Sequence, residues 1–378
     1  MTLVLTLASR NLFHDRVRLI ATVVGIVFSI VLVTVQLGVF LSFERMVTTM
    51  IDHAQADFWI VPSETKSFED SSLLAGRERL QALSINGVTA AVPVVAGYAS
   101  WRKPNGGAST PVLVVGTPET SAGLQPWNVV EGSIRDLSMP EAVAIDQSYF
   151  DELGIGQIGE HAEINNQKAR VVAVTKGIRS FTTMPNVFTS IEWARAYLGV
   201  PPNEANYFIL RIAPNVDAAT VRSQLAARLS DAEVLTSEQF RHRTRQFWLF
   251  DTGAGAALLG SAILGIIVGT IIVAQTLYSS TKDHLKEFAT LRAIGSSCGY
   301  ILKVILGQAL LSAVVGFSIA ASIDLALVKM TADAALPIVM TPGLTLGLFA
   351  LTVTMCVIAA ISAIRVVMRI DPALVFAQ

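Results

Sequence analysis

Cysteine is almost absent from this sequence: Cys298 and Cys356 are the only two among 378 residues. Both fall in or beside the apolar C-terminal part of the chain. Two distant cysteines do not build a disulfide framework, and they do not support a cysteine-based metal site. Both of these possibilities are set aside.

Charge is also scarce. Charged residues make up 15% of the chain, whereas soluble globular domains carry about 25%. The formal net charge is −1 and there is no basic tail, which argues against nucleic acid as a partner. With 52% hydrophobic residues and a mean hydropathy of +0.55, part of the chain is expected to lie in lipid.

Several catalytic motifs are missing as well. There is no Gly-x4-Gly-Lys-Ser/Thr phosphate loop, no His-Glu-x2-His motif and no Gly-x-Ser-x-Gly elbow. The five histidines are scattered, although folding could still bring some together, and the paired acids Asp151 and Glu152 are interpreted as solvated surface. The sequence therefore predicts no catalytic residue, no metal site and no cofactor bound by this chain.

What the sequence does contain is long apolar runs. Leu19 to Phe40 holds 22 residues without a charge; at about 1.5 Å per residue such a helix reaches roughly 33 Å, enough to cross a bilayer core. No convincing cleavage site follows it, so it is interpreted as an uncleaved anchor. Three more runs follow a long gap: Thr252–Tyr278, Val304–Val328 with a single acid, and Leu344–Ile364. Four transmembrane helices are predicted.

The positive charges of the short loops predict the orientation of these spans. Nine lie on one side, namely Arg10, Arg16, Arg18, Lys282, Lys286, Arg292, Lys303, Arg365 and Arg369, and only Lys329 lies in the short loop between the third and fourth spans. Both termini are therefore expected in the cytoplasm, and residues 41–245 outside. This is the topology of a multi-pass protein of the inner (plasma) membrane.

The long segment between the first and second spans has the pattern of a globular α+β domain. Short alternating or β-branched runs predict strands, and they are Gly87–Val95, Pro111–Val115, Ala142–Ile145, Arg170–Val174 and Tyr207–Ile212. Ala218–Leu229 is predicted to be a helix, because Val221, Leu225 and Leu229 recur every four residues. Residues 206–235 suggest a small α+β subdomain, and residues 142–174 a more β-rich one.

Two helical segments are expected to tether this domain. Leu41–Gln55 continues the first span without a breaker, and Ser237–Phe250 leads into the second span, with Phe247 and Trp248 suited to the membrane interface. Continuous helices would make a stiff stalk. Ordinary frayed linkers are the alternative.

Polar and small residues inside the spans allow two interpretations. Gln36, Gln275, Gln308 and Asp324 could line a transport path, but hydrogen bonding between helices, with water near Asp324, is the plainer interpretation. The second span carries Gly255, Gly260, Gly265 and Gly269. These glycines are predicted to allow close helix packing, either inside the subunit or across a dimer seam.

Between the second and third spans lies the charged stretch KEFATLRAIGSS, residues 286–297. Leu285, Phe288, Leu291 and Ile294 form one apolar stripe, and Gly295 follows as a helix terminator. Such a helix can lie on the cytoplasmic membrane surface and offer its charges to the cytosol. Periodicity alone leaves open an interfacial helix without a partner.

The segment Glu287–Ser296 resembles the coupling segment of MacB/FtsX/LolC-like permeases of ABC transporters. The start Leu7–Leu12, the ending Arg369–Leu374 and the stretch Glu141–Val174 are similar to other parts of that family. Within it, the stretches Ala56–Ser63, Gly76–Gln81, Ala99–Asn105 and Val114–Pro118 most resemble DevC-type permeases.

This resemblance implies a coupling helix over residues 282–297 that docks a separate ABC ATPase subunit, where ATP and Mg²⁺ would bind. Its contact residues would be Lys286, Glu287, Thr290, Leu291, Arg292, Ala293, Ile294 and Gly295. It further implies a homodimer, a periplasmic adaptor (membrane-fusion) protein, contact with membrane lipid, and export of a glycolipid-like amphiphile by mechanotransmission.

The expected architecture is an α-helical membrane protein with four transmembrane helices and a large extracytoplasmic α+β domain between the first and second spans. Residues 1–40 hold the N-terminal amphipathic helix and first span, residues 41–245 the stalk and domain, and residues 246–378 the remaining spans. Two other functions stay open: an FtsX-like regulator of a cell-wall hydrolase, and a membrane receptor without an ATPase.

Overall fold

The computed structural model describes residues 16–70, 72–104, 106, 109–118, 123–182, 184–283, 290, 298–332, 334 and 336–367. The chain divides into two compact units. One, the membrane unit, comprises residues within Met1–Ser42 and Ala256–Gln378; the other, the inserted domain, comprises Phe43–Gly255.

The helices of the described chain are numbered here in sequence order. They are α1 (Arg16–Met46), α2 (Thr49–His53), α3 (Gly76–Leu83), α4 (Phe150–Leu153), α5 (Ile191–Leu198), α6 (Ala218–Arg228), α7 (Ser237–Gln246), α8 (Ala254–Asp283), α9 (Cys298–Met330) and α10 (Pro342–Val367).

Four of these helices are long and apolar enough to cross a membrane, within the residues described. The candidate spans are Leu19–Met46, Ala254–Ser279, Leu302–Met330 and Pro342–Ser362. They confirm the four predicted spans and the insertion of a large domain between the first and the second.

Small residues bring the spans of the membrane unit together. Ala309, Ala313 and Ala320 on α9 and Ala359 and Ala360 on α10 are fully buried in its core. Residues with short side chains let helix backbones approach closely. In a membrane, lipid is as apolar as the helix surfaces, so helices associate through such close packing and not through the hydrophobic effect. Polar contacts add to this packing: Ser29 Oγ on α1 donates to the carbonyl of Gly265 on α8 at 2.8 Å.

The inserted domain is built on a ten-stranded sheet, counting the described strands. They are β1 (Phe58–Pro62), β2 (Val88–Arg102), β3 (Thr110–Thr117), β4 (Val129–Gly132), β5 (Ala142–Asp146), β6 (His161–Ile164), β7 (Gln167–Thr175), β8 (Asn186–Ser190), β9 (Tyr207–Ile212) and β10 (Ala232–Thr236). Their order is β10-β1-β9-β2-β3-β8-β5-β7-β4, with β6 paired to β2 and β7.

The 15-residue strand β2 joins the two halves of this sheet. Its first half pairs antiparallel with β9, from Val88 to Val94, and its second half pairs antiparallel with β3, from Val95 to Trp101. The two subdomains expected from the sequence thus correspond to two halves of one sheet. Residues 206–235 lie in the β1–β9–β10 half and residues 142–174 in the other.

Both faces of the sheet are covered, which explains why several strands are apolar without alternation. On β1, Phe58 and Ile60 belong to one core, whereas Trp59 and Val61 belong to a second core on the opposite face. Helices α3, α5 and α6 contribute to the first core. Residues of α2 and α7, including Ile51 and Phe240, contribute to the second.

The five strands and the helix predicted for this domain are confirmed. Each predicted run lies within or overlaps β2, β3, β5, β7 or β9, and the predicted helix is α6. Val221 and Leu225 of α6 are buried, and the side chain of Asp217 accepts hydrogen bonds from the backbone N–H groups of Ala219 and Thr220 at its start.

Candidate functional site

The chain enters the inserted domain at the end of α1 and leaves it through α7. Here we call the residues that join these two segments the helix clamp: Phe43, Glu44, Asp52, Glu69, Phe181, Arg241, Arg245 and Trp248. All eight lie within the inserted domain. They matter because any motion of the first or second span would reach the domain through these two segments.

The incoming segment is helical as far as Met46 and then stops. A turn at Val47–Thr48 separates α1 from α2, which begins at Thr49. The expectation of an unbroken helix over Leu41–Gln55 is therefore wrong. The break falls in the β-branched run Val47-Thr48-Thr49, which weakens a helix locally. The Thr48 hydroxyl donates to Asp52 Oδ2 at 2.8 Å.

The outgoing segment begins with a well-capped helix. Gln239 N donates to Thr236 Oγ1 at 3.1 Å, and Thr236 N donates to Gln239 Oε1 at 3.1 Å. This reciprocal pair satisfies two backbone donors at the start of α7.

A π-helical turn, Phe247–Asp251, follows α7, and the helix is then interrupted before α8 begins at Ala254. Gly253 has φ +79°, a left-handed conformation that glycine adopts without the steric cost of a Cβ atom. At Gly255, an added Cβ would lie 2.5 Å from the Leu249 carbonyl oxygen. The expected continuous helix from Ser237 into the second span is thus wrong.

Two ion pairs join α7 to the incoming segment. Arg241 Nε lies 3.4 Å from Asp52 Oδ1, and Arg245 Nη1 lies 3.6 Å from Glu44 Oε1. Arg241 and Arg245 are four residues apart, so they share one face of the helix. All four side chains are about one-third exposed. Each pair therefore contributes modestly, by about 0.2–1 kcal/mol.

Aromatic side chains connect the same segments through a loop. Phe181, in the β7–β8 connection, packs edge-on against Phe43 at 5.3 Å and against Trp248 at 4.8 Å between ring centroids. Phe43 and Phe181 are 8% and 7% exposed. Edge-to-face aromatic pairs add about 0.5–1.5 kcal/mol each beyond the area they bury, so this bridge outweighs the ion pairs.

Trp248 also makes a polar contact. Its indole Nε1–H donates to Glu69 Oε2 at 3.1 Å. Burial raises the pKa of Glu69 to about 7; hydrogen bonds from its own backbone N–H, Trp248 and Ser67 oppose that rise, and the charge of Asp70 adds to it. Glu69 is therefore a carboxyl group that titrates near neutral pH inside the clamp.

Arg243 turns away from the clamp and fastens α7 to strand β10. Its Nη2 lies 2.7 Å from Glu233 Oε2, and its Nη1 donates to the Thr65 carbonyl at 3.3 Å. The hydrogen bond from Arg243 lowers the pKa of Glu233. These contacts anchor α7 to the sheet.

Within the described ranges, no group of three His, Cys, Asp or Glu side chains could hold a metal ion.

The structure describes little of the predicted coupling segment. Thr290 is described as an exposed helical residue. The other seven predicted contact residues, Lys286, Glu287, Leu291, Arg292, Ala293, Ile294 and Gly295, lie outside the described residues. Their role stays a prediction.

The four glycines of the second span have different surroundings. Gly265 approaches Leu32 and Val33 of α1, and Gly269 lies against Ser29 of α1 and Met355 of α10. Around Gly260, no described atom lies within 4 Å of an added Cβ. Gly255 contacts the π-helical turn. Thus Gly265 and Gly269 face helices of the same subunit.

The polar residues of the spans also separate into groups. Gln275 is exposed and Gln36 is partly exposed, whereas Gln308 is 5% and Asp324 only 2% exposed. The expectation that water lies near Asp324 is wrong, because α1 covers it: the Thr34 hydroxyl is 2.8 Å from Asp324 Oδ2.

Sequence reasoning missed most of the clamp. It singled out Trp248 only as an interfacial aromatic, and it did not single out Phe43, Glu69 or Phe181. Trp248 and Glu69 are 179 residues apart in sequence, so no local pattern links them. One signal was present: Arg241 and Arg245 are four residues apart in SEQFRHRTRQ, so they share one face of α7.

Comparison with known proteins agrees with this architecture. The family described as MacB-like periplasmic core domain matches residues 19–228, more than half of the chain, and the family described as FtsX-like permease C-terminal matches residues 259–372. The chain belongs to the MacB/FtsX-type ABC transporter permeases.

Curated relatives carry the same description along their whole length. An uncharacterized ABC transporter permease of Mycobacterium tuberculosis is 25% identical over 375 residues, covering 98% of each chain. One of Mycobacterium bovis is 24% identical over 376 residues, also covering 98% of each. Membership of this family indicates a multi-pass inner-membrane protein and implies an ATPase partner.

Solved structures similar to the chain include two domains that lie outside the membrane. The periplasmic region of MacB from Actinobacillus actinomycetemcomitans matches with a TM-score of 0.37 and 11% identity, covering 51% of this chain and 94% of that one. The extracellular domain of the noncanonical ABC-type transporter YknZ from Gram-positive bacteria matches with a TM-score of 0.35 and 11% identity, covering 48% and 99%.

Proposed function

We propose that this chain couples ATP hydrolysis on a separate ATPase subunit to movement of the inserted domain, which lies outside the membrane. Both termini and the segment between α8 and α9 would face the cytoplasm, as the distribution of Lys and Arg predicts. The chain itself would be non-catalytic and would bind no cofactor, with ATP and Mg²⁺ held by the partner.

The helix clamp is the observation that carries this proposal. Phe43 and Glu44 lie on α1, which is one helix from Arg16 to Met46, so a displacement of this helix acts directly on their partners. Phe181 and Trp248 receive it through ring contacts, and Arg245 receives it through its ion pair with Glu44.

The resemblance to MacB/FtsX/LolC-like permeases, and within them to DevC-type permeases, supports a wider assembly. Two copies of this chain and two ATPase subunits would form the working unit, with a periplasmic adaptor protein beside the inserted domain. The cargo would be an amphiphile of lipid or glycolipid type, taken from the membrane and exported.

The coupling segment provides the sharpest test. Glu287→Lys and Arg292→Glu should each reduce co-purification of the ATPase, or uncouple hydrolysis from export, because charge reversal opposes docking into a complementary groove. Membrane insertion should be unchanged, since neither residue lies in a span. Lys329→Glu is the matched control, because Lys329 is an exposed charge in the last turn of α9, at the end that is predicted to face the opposite side.

Wild-type ATPase binding and hydrolysis in both coupling-segment variants would contradict the proposal. Equal loss in Lys329→Glu would do the same, because it would show a general effect of charge reversal. Reporters fused after Gln378 and near Gly106 test the orientation independently. The first should be cytoplasmic and the second external.

A second function, regulation of a cell-wall hydrolase without transport, is kept because the C-terminal spans match the FtsX-like permease family. Such a regulator would use the same motion of the inserted domain. Purification from native membranes separates the two: an exporter should retain an adaptor protein, and a regulator should retain a hydrolase.

A further inference from the structure

Asp324 is a buried acidic residue within the third span. It is 2% exposed, and its Oδ2 lies 2.8 Å from the hydroxyl of Thr34 on the first span. Its second oxygen, Oδ1, is buried without a hydrogen-bond partner among the described residues. A carboxyl group in this position needs an explanation, because ionisable groups inside spans are costly.

Along most of their length, the other three spans provide no positive charge to balance it. There is no Lys, Arg or His in 19–42, in 254–281 or in 342–364. On its own helix the nearest cation, Lys329, is five residues away and exposed. The other titratable side chains of the spans are Glu44, Arg45, Tyr278, Lys303 and Cys356. None of them has a hydrogen bond to Asp324 in the described structure. A second copy of the chain would bring the same uncharged stretches.

The hydrogen bonds around Thr34 also indicate that Asp324 is uncharged. The Thr34 hydroxyl has one proton, but two oxygens lie 2.8 Å from it: the Ile30 carbonyl and Asp324 Oδ2. If Asp324 is a carboxylate, Thr34 can serve only one of them, and a buried negative oxygen stays without a donor.

If Asp324 instead carries a proton on Oδ2, both contacts are satisfied. Asp324 donates to Thr34 Oγ1, and Thr34 donates to the Ile30 carbonyl. The remaining Oδ1 is then a neutral carbonyl oxygen, which costs far less to bury than a charged one.

We propose that Asp324 is a proton-binding site of the membrane unit, held as a neutral carboxylic acid whose Oδ2–H donates to Thr34 and fastens the third span to the first. A conformation in which α1 and α9 separate and water reaches Asp324 releases this proton. Movement of the spans is then linked to proton binding, a property that goes beyond permease function as such.

Infrared spectroscopy of the full-length chain in lipid vesicles tests this directly. At pH 7, the wild-type spectrum minus that of Asp324→Asn should show the carbonyl stretch of a protonated carboxylic acid and no carboxylate bands. In Thr34→Val the acid band should remain but shift to higher frequency, because its hydrogen bond is lost. Thr34→Ser, which keeps the hydroxyl, should leave it in place.

Glu69 provides an internal control in the same chain. Its acid band, assigned with Glu69→Gln, should turn into carboxylate as the pH rises from 5 to 9, because its pKa is about 7. The Asp324 band should not change over this range. Carboxylate bands for Asp324 at pH 7 would overturn the proposal, as would a band that titrates together with that of Glu69.

A second measurement avoids mutation altogether. When the wild-type chain is labelled with ¹³C-aspartate, water-exposed aspartates are ionised at pH 7, so an acid band that shifts with this label belongs to a buried aspartic acid. If no such band is present, Asp324 is charged and the inference is wrong.

Discussion

The two connections between the spans and the inserted domain are built differently. The incoming connection is one helix up to Met46, and its last turns already carry clamp residues. The outgoing connection reverses this order: its clamp residues come first, on α7 and the π-helical turn, and the helix is interrupted at Gly253 before α8 begins.

This difference assigns different mechanical roles to the two connections. A continuous helix resists bending, because every backbone hydrogen bond within it would have to be distorted. A left-handed glycine between two helices allows the chain to change direction at one residue. The first span is thus expected to drive the clamp, and the second to adjust to it. The four predictions below test that asymmetry.

The largest effect is expected at Phe181, the ring shared by both connections. Phe181→Ala should lower the free energy of unfolding of the inserted domain by about 3 kcal/mol, because it leaves a cavity between Phe43 and Trp248. Thermal unfolding of the full-length chain in nanodiscs measures this. Phe250→Ala is the control, since Phe250 is 54% exposed in the same outgoing segment. Equal losses in both variants would argue against a shared aromatic bridge.

The next effect concerns pH. Because the folded-state pKa of Glu69 is raised from 4.5 to about 7, the folded domain binds more protons than the unfolded chain between these values. The contribution of Glu69 to the stability of the domain should therefore be greatest below pH 4.5 and decline as the pH rises through 7. Glu69→Gln should remove the decline and stabilise the domain at pH 8 by on the order of 1–2 kcal/mol, allowing for its partial exposure.

Unfolding of wild type and Glu69→Gln, measured from pH 4 to pH 8, tests whether the stability contributed by Glu69 falls as the pH rises. Glu238→Gln serves as the comparison, since the Glu238 side chain is 75% exposed in its pair with Arg241. If Glu69→Gln were less stable at pH 8 than wild type, the hydrogen bond from Trp248 would outweigh the cost of burying the charge.

A smaller effect is expected at the glycine break. Gly253→Ala should cost about 1 kcal/mol, because an alanine at φ +79° is strained even though open space surrounds its Cβ. Gly260→Ala, inside α8 and equally open, should be neutral or favourable by up to about 1 kcal/mol. Hydrogen-exchange rates of peptides covering residues 247–262 measure the effect of both substitutions. Equal behaviour of the two variants would mean that Gly253 is no hinge.

The smallest effect belongs to the ion pairs. A double-mutant cycle with Arg245→Gln and Glu44→Gln should yield a coupling energy of about 0.2–1 kcal/mol, falling as salt rises, because both side chains are partly exposed. The Arg241–Asp52 pair should behave alike. A coupling well above this range would make the ion pairs, and not the aromatic bridge, the main element of the clamp.

The sequence by itself determined the features that depend on local pattern. Uncharged runs long enough to cross a bilayer predicted the four spans. Alternating and four-residue periodicities predicted strands such as Tyr207–Ile212 and the helix that begins at Ala218, because burial of one face imposes these repeats. The family could be recognised from short segments.

Tertiary structure decided everything that depends on which distant residues meet. Helix continuity was predicted from the lack of Pro or Gly near Met46, yet the chain turns at Val47–Thr48, and Asp52 of α2 then pairs with Arg241 of α7. The partner of Trp248 lies 179 residues away, and the burial of Asp324 depends on Thr34 of another span. Local periodicity contains no information about such pairs, because their energy exists only once the chain has folded and excluded water between them.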